Sequence, residues 1–213
     1  MTSKAVIFDL GGVILPSPIQ FFRSYERERG LPERFISEVV VCGGEHGAWS
    51  QLERGELSLT EFATAFADEC EAAGARVDVG DLLGAMTGEA APFPEMVAAI
   101  GTIRERGLST AALTNNWRRD DGAGITDSRG LYGMFDVVVE SAIEGLRKPD
   151  PAIYKLVCAR LGVEPSEAVF LDDLGVNLKS ARALGMITIK VTDPASALAE
   201  LADVLGFPLT VSA

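Results

Sequence analysis

At 213 residues, with 47% hydrophobic and 23% charged side chains, the chain has the make-up of a folded globular protein. That composition excludes a disordered, collagen-like or disulfide-dense chain. Nineteen Lys and Arg against thirty-one Asp and Glu leave a net charge of -12, which argues against nucleic acid or an anionic membrane as a partner.

The first element runs from Lys4 to Phe8, apolar on both faces, and ends in Asp9 with Gly11 and Gly12 just behind. Such a run predicts a central parallel strand covered by helices on either side. It is too short for a signal peptide. No apolar stretch approaches the roughly 20 residues that span a bilayer, so a soluble, cytoplasmic protein is expected. From about residue 16 to 92 no strand pattern occurs. Phe21, Phe22 and Tyr25, then Phe35, Ile36, Val39 and Val40, then Leu59, Phe62 and Phe66, lie at helical spacing. A flexible loop is expected at residues 42–47, and a helix start near Thr60. Trp49 and the Phe21-Phe22 pair read as packing between these helices and the rest of the chain.

Beyond residue 93 strands and helices alternate. Strands are expected at 108–114, 135–140, 168–171 and 186–191, and helices at 95–106, 151–161, 177–184 and 195–205. Residues 117–130, with Arg118 and Arg119, read as a polar loop. This pattern predicts an α/β fold, a Rossmann-like parallel sheet wound by right-handed crossovers. The domains expected are a core of residues 1–15 and 93–213 and an inserted helical cap of residues 16–92. Cys42, Cys70 and Cys158 are widely spaced and odd in number, and His46 stands alone. They read as plain thiols and a solvated histidine rather than a disulfide framework or a zinc site.

Four features sit at strand ends. They are Asp9, the run Thr114-Asn115-Asn116, Lys148 in Arg147-Lys148-Pro149-Asp150, and the pair Asp172-Asp173. Each alone is ordinary capping or turn chemistry. Together they converge on the carboxyl edge of a parallel sheet, where ligands bind.

Their order and type resemble the haloacid dehalogenase (HAD) superfamily. The stretches around Asp9 and around Lys148 are most similar to the phosphatase domain of soluble epoxide hydrolase and to the hydrolase-like domain of some acyl-CoA dehydrogenase family proteins. The resemblance implies a HAD-like core with a small helical cap, and Mg²⁺ as cofactor. It implies Asp9 as the nucleophile, with Lys148 holding nucleophile and phosphate together. Thr114 and the Asn115 amide would bind phosphate oxygens. Asp9, Asp173 and the Gly11 carbonyl would hold the metal, and Asp172 and Asn177 would support Lys148 and the acid pair. Carboxylate attack on phosphorus needs a cation to offset the repulsion of two anions, and Mg²⁺ favours oxygen ligands.

One departure matters. Phosphatases of the superfamily usually carry an acid two residues after the nucleophile, and here that residue is Gly11. General acid–base catalysis, typically worth about 10²- to 10⁴-fold, has no local donor. Three readings stay open. The first is a phosphatase of small phosphorylated metabolites, with Glu45 or His46 as a lent acid or with a good leaving group. The second is a weak or non-enzymatic member that binds a phosphorylated ligand or a partner protein. The third is a 2-haloacid dehalogenase, against which the acid pair argues. A monomer or homodimer is expected.

Overall fold

In a computed structural model of the chain, residues 3–86, 91–118 and 130–209 are described. Arg119 and most of the expected loop at 117–130 lie outside them. The described strands are β1 (Ala5–Phe8), β2 (Ser109–Thr114), β3 (Val137–Glu140), β4 (Ala168–Asp172) and β5 (Ile187–Lys190). They form one parallel sheet in the order β3-β2-β1-β4-β5.

Period-two alternation sorts the strand residues to two faces. Val6, Phe8, Ala112, Val169, Leu171 and Ile189 pack with α6 (Pro94–Glu105) and α10 (Pro194–Leu205). Ile7, Ala111, Leu113, Val139 and Phe170 pack with α8 (Pro151–Leu161) and α9 (Gly175–Ala183). Both faces are covered at the centre of the sheet, so β1 is apolar and fully buried, while the edge strand β5 is partly exposed. The short α7 (Ser141–Glu144) follows β3 directly.

The chain leaves β1 outward through β2 and β3, then returns to the other side of β1 to build β4 and β5. Strand order therefore reverses between β1 and β4. In open α/β sheets the crevice at that reversal is where ligands bind. Asp9 follows β1 and Asp172 closes β4, so the two acids flank it.

Between β1 and α6 the described residues form five α-helices, α1 (Pro18–Arg29), α2 (Phe35–Gly43), α3 (Ala48–Glu53), α4 (Leu59–Ala72) and α5 (Val79–Met86). They share an apolar cluster of their own, including Phe22, Ile36, Trp49, Leu52, Phe62, Phe66 and Leu82. Trp49 is ringed edge-on by Phe22, Phe62, Phe66 and Trp117. The last of these comes from the segment after β2, so the core donates one side chain to this cluster.

Local details depart from the sequence pattern. Residues 42–47 are not a simple loop, because α2 continues to Gly43 and residues 44–46 make a 3₁₀ turn. Helix α4 begins earlier than Thr60. Ser58 accepts from the Glu61 N–H while the Glu61 carboxylate accepts from the Ser58 N–H, a reciprocal capping box. Helices α3 and α5 carry too few turns for periodicity to announce them. Among the described residues no helix is long and apolar enough to cross a membrane. The three cysteines are free thiols, with Cys70 and Cys158 buried.

Candidate functional site

Lys148 is the hub. Its side chain is 1% exposed, and Nζ lies 2.8 Å from Asp9 Oδ1 and 2.8 Å from Asp172 Oδ2. The Phe170 ring lies beneath the ammonium, 5.6 Å from Nζ. A buried ammonium is tolerable only with such partners. Burial alone would depress its pKa, but Asp172 and Asp9 outweigh that and raise it.

The neighbouring acids differ in how they are held. Asp172 is saturated. Oδ1 accepts from the Leu174 N–H at 2.8 Å and from Asn177 Nδ2 at 3.0 Å. Oδ2 accepts from Lys148 and, at 3.0 Å, from Asn177 again. Asn177 is fixed in turn, its carbonyl accepting from the buried Tyr154 hydroxyl at 3.0 Å. Asp9 receives the Leu10 N–H at 2.7 Å and Lys148, both on Oδ1. Asp173 is half-buried and accepts from the Ser17 hydroxyl at 3.0 Å.

One carboxylate oxygen from each of Asp9, Asp172 and Asp173 lies within 4.8 Å of the other two. Three acids around one ammonium leave an excess of negative charge that a divalent cation would offset. With Asp172 occupied by hydrogen bonds, Asp9 and Asp173 are the carboxylates able to serve as ligands. The donor set is all oxygen, which suits Mg²⁺.

The glycines behind Asp9 shape this corner. Gly12 has φ +80, and a Cβ there would fall 2.3 Å from Asp173 Oδ2. Only glycine lets the β1 loop pass so close to the acid. A Cβ on Gly11 would meet the Pro18 ring at 3.0 Å, so the missing side chain makes room for the start of α1.

Burial raises Asp9 most, from 3.8 to about 8; Lys148 opposes the rise, while Asp172 and Asp173 add to it. Asp173 is raised too, first by burial and then by Asp172. A cation binding there must displace the Asp9 proton. Any affinity of the site for a divalent cation should therefore climb with pH and level off above about 8, as titration calorimetry with Mg²⁺ at several pH values would read. The same proton acts on the metal-free fold. Its stabilising contribution is full below 3.8, where the unfolded carboxyl also holds it, and is lost as pH rises through about 8. Thermal midpoints across that range would record the decline.

A family model described as haloacid dehalogenase-like hydrolase matches residues 3–185. The chain belongs to that family. Mouse acyl-CoA dehydrogenase family member 10 is 44% identical over 97% of this chain, and pig bifunctional epoxide hydrolase 2 is 36% identical over 98%. The chain spans only 19% and 40% of the lengths of those two relatives. A sesquiterpene phosphatase of Aspergillus oryzae is 26% identical over 96% of this chain and 98% of its own length. A solved HAD family enzyme of Bacteroides thetaiotaomicron, in complex with magnesium and inorganic phosphate, superposes with a TM-score of 0.58. It is 23% identical, over 90% of this chain and 96% of that one.

Asp9, Lys148, Asp172, Asp173 and Asn177 thus meet in one cluster. Thr114 is buried at the end of β2, its hydroxyl 3.4 Å from the Asn115 carbonyl. The Asn115 side chain faces another task. Oδ1 accepts from the Lys148 N–H at 2.9 Å, and Nδ2 donates to the Lys148 carbonyl at 3.0 Å and to Glu53 at 3.2 Å. Glu45 and His46 are exposed, with Glu45 in loose ion pairs at 3.4 Å to Arg54 and Arg147.

Sequence reasoning missed Glu53, Ser17 and Tyr154. Glu53 lies in α3, is buried, and accepts from Arg147 Nε at 2.8 Å. Its bond from Trp49 is local, but the partners that tie it to the site come from segments 62 and 94 residues away. Ser17 and Tyr154 had a weak signal, as polar groups adjoining motifs already singled out.

Proposed function

We propose that the chain is a Mg²⁺-dependent hydrolase of small phosphate monoesters acting through a phosphoaspartate on Asp9. The observation that carries this reading is the bridging of Asp9 and Asp172 by a buried lysine beside Asp173, at the reversal of strand order. The phosphatase among the near full-length relatives supports the same reaction class.

Bound Mg²⁺ would be held by Asp9, Asp173 and the Gly11 carbonyl, and would offset charge on the phosphoryl oxygens. Lys148 keeps the Asp9 oxygen in place and adds a second positive charge beside the phosphate. Thr114 and the Asn115 backbone N–H would bind further phosphoryl oxygens. Asp9 attacks phosphorus as the ester P–O bond breaks, and the leaving oxygen takes a proton from solvent or from its own substrate. Water then cleaves the phosphoaspartate, releasing phosphate and the free carboxylate. Helices α1–α5 act as a cap over this edge and select the small phosphorylated substrate.

Asp173 weighs against the dehalogenase reading, since loss of halide needs neither a metal nor an acid pair. Phosphate release from an ester panel with and without Mg²⁺ tests the proposal directly, and metal-independent chloride release from 2-haloacids would replace it. Turnover of no ester, with stabilisation by Mg²⁺ plus phosphate, would favour a binding protein. Gly11→Asp should raise turnover of esters with poor leaving groups by about 10²-fold or more, provided the Pro18 ring yields a few tenths of an ångström. The gain should vanish with activated aryl phosphates, which need no proton.

A further inference from the structure

Lys148 is anchored at both ends. The core acids hold its ammonium, whereas its backbone is held by Asn115 through two bonds to a single residue. That amide works in one orientation only. Turned over, it would set NH₂ against the Lys148 N–H and oxygen against the Lys148 carbonyl. The group that imposes the working orientation is Glu53 Oε2, which can accept only from the NH₂ side. The same oxygen accepts from Arg147 Nε, the residue just before Lys148. Glu53 is steadied from its own helix, where Trp49 Nε1 donates to Oε1 at 3.1 Å. Three donors thus surround a carboxylate that is 8% exposed.

We infer that Glu53 is a positioning residue, a carboxylate of the inserted helices that sets the backbone of Lys148 through Asn115 and Arg147. The lysine is then in register only while α3 is seated on the core. This rests on the phosphatase reading for its kinetic arm but not for its structural one. Trp117, two residues after Asn115 and buried against Trp49 at 5.9 Å between ring centroids, ties the same strand end to the same helix.

Two measurements test it. The first compares Glu53→Gln with the parent chain. The kcat for a phosphate ester should fall about 10- to 100-fold with KM little changed, because a misplaced lysine weakens the reacting geometry more than binding. In an Asn115→Ala background Glu53→Gln should cost clearly less than in the parent, the remainder passing through Arg147. An undiminished kcat, or an equal loss in both backgrounds, overturns the inference. The second needs neither a variant nor turnover. In the unmodified chain, hydrogen exchange of the Lys148 amide should speed up in step with the α3 amides as denaturant is raised within the folded range. Exchange at Lys148 that ignores the opening of α3 overturns it equally. If the parent chain hydrolyses no ester, the phosphatase reading fails, and the exchange result alone decides the role of Glu53.

Discussion

Asp9→Asn is expected to lower phosphate-ester turnover by about 10⁴-fold or more while leaving the fold at least as stable as before at neutral pH. The amide is a poor nucleophile and a weak metal ligand, so both bond formation and Mg²⁺ affinity suffer. Stability should survive because burial holds Asp9 protonated up to about pH 8 in the metal-free chain, and an amide is nearly the shape of a carboxylic acid. Its oxygen can keep the Oδ1 position, accepting from the Leu10 N–H and from Lys148. A lost activity with a preserved thermal midpoint would therefore report chemistry and not misfolding. Turnover equal to the parent chain would end the covalent mechanism outright. The variant's midpoint relative to the parent's should rise between about pH 4 and pH 8 and level off above that, since asparagine has no proton to lose on unfolding.

The α/β architecture was legible because its signal is local. The central strands are largely apolar runs covered on two faces, and each core helix repeats its buried positions every three or four residues. The strand ends followed from that, and with them Asp9, Asp172 and Asp173; Lys148, expected at a strand end, lies beyond α7, in the segment before α8. What escaped was side-chain geometry across long separations. The chemistry of the KPD segment suggested a charge for phosphate, yet the residue before it, Arg147, turns to Glu53 in α3. The Thr114-Asn115-Asn116 run suggested phosphate contacts, yet the Asn115 side chain holds the Lys148 backbone. Asn116, next along, donates to Glu140 and exchanges bonds with Ser141 at 2.9 and 3.2 Å, packing β2 against β3. Gly11 looked like a missing acid, and the Pro18 ring shows what the absence accommodates. None of these could be read from spacing, because the partner in each case arrives from another element.

Lys148→Met is expected to destabilise the fold by about 3–5 kcal/mol and to abolish turnover as well. The lysine stem is 1% exposed, so methionine preserves most of its packing and isolates the loss of charge. What remains is Asp9 and Asp172 close together without a cation, in surroundings that already raise Asp9. Asp172 keeps its bonds from Asn177 and Leu174 but loses the ammonium that faced it. Replacing that acid as well should restore much of the stability. In chemical denaturation Lys148→Met with Asp172→Asn should therefore recover a large part of what Lys148→Met alone loses, a strongly non-additive pair. Turnover should not return, because Asp9 would still lack its ammonium. Additive losses in the pair would mean that Lys148 and Asp172 do not stabilise each other, and the ion-pair account of this site would have to be given up.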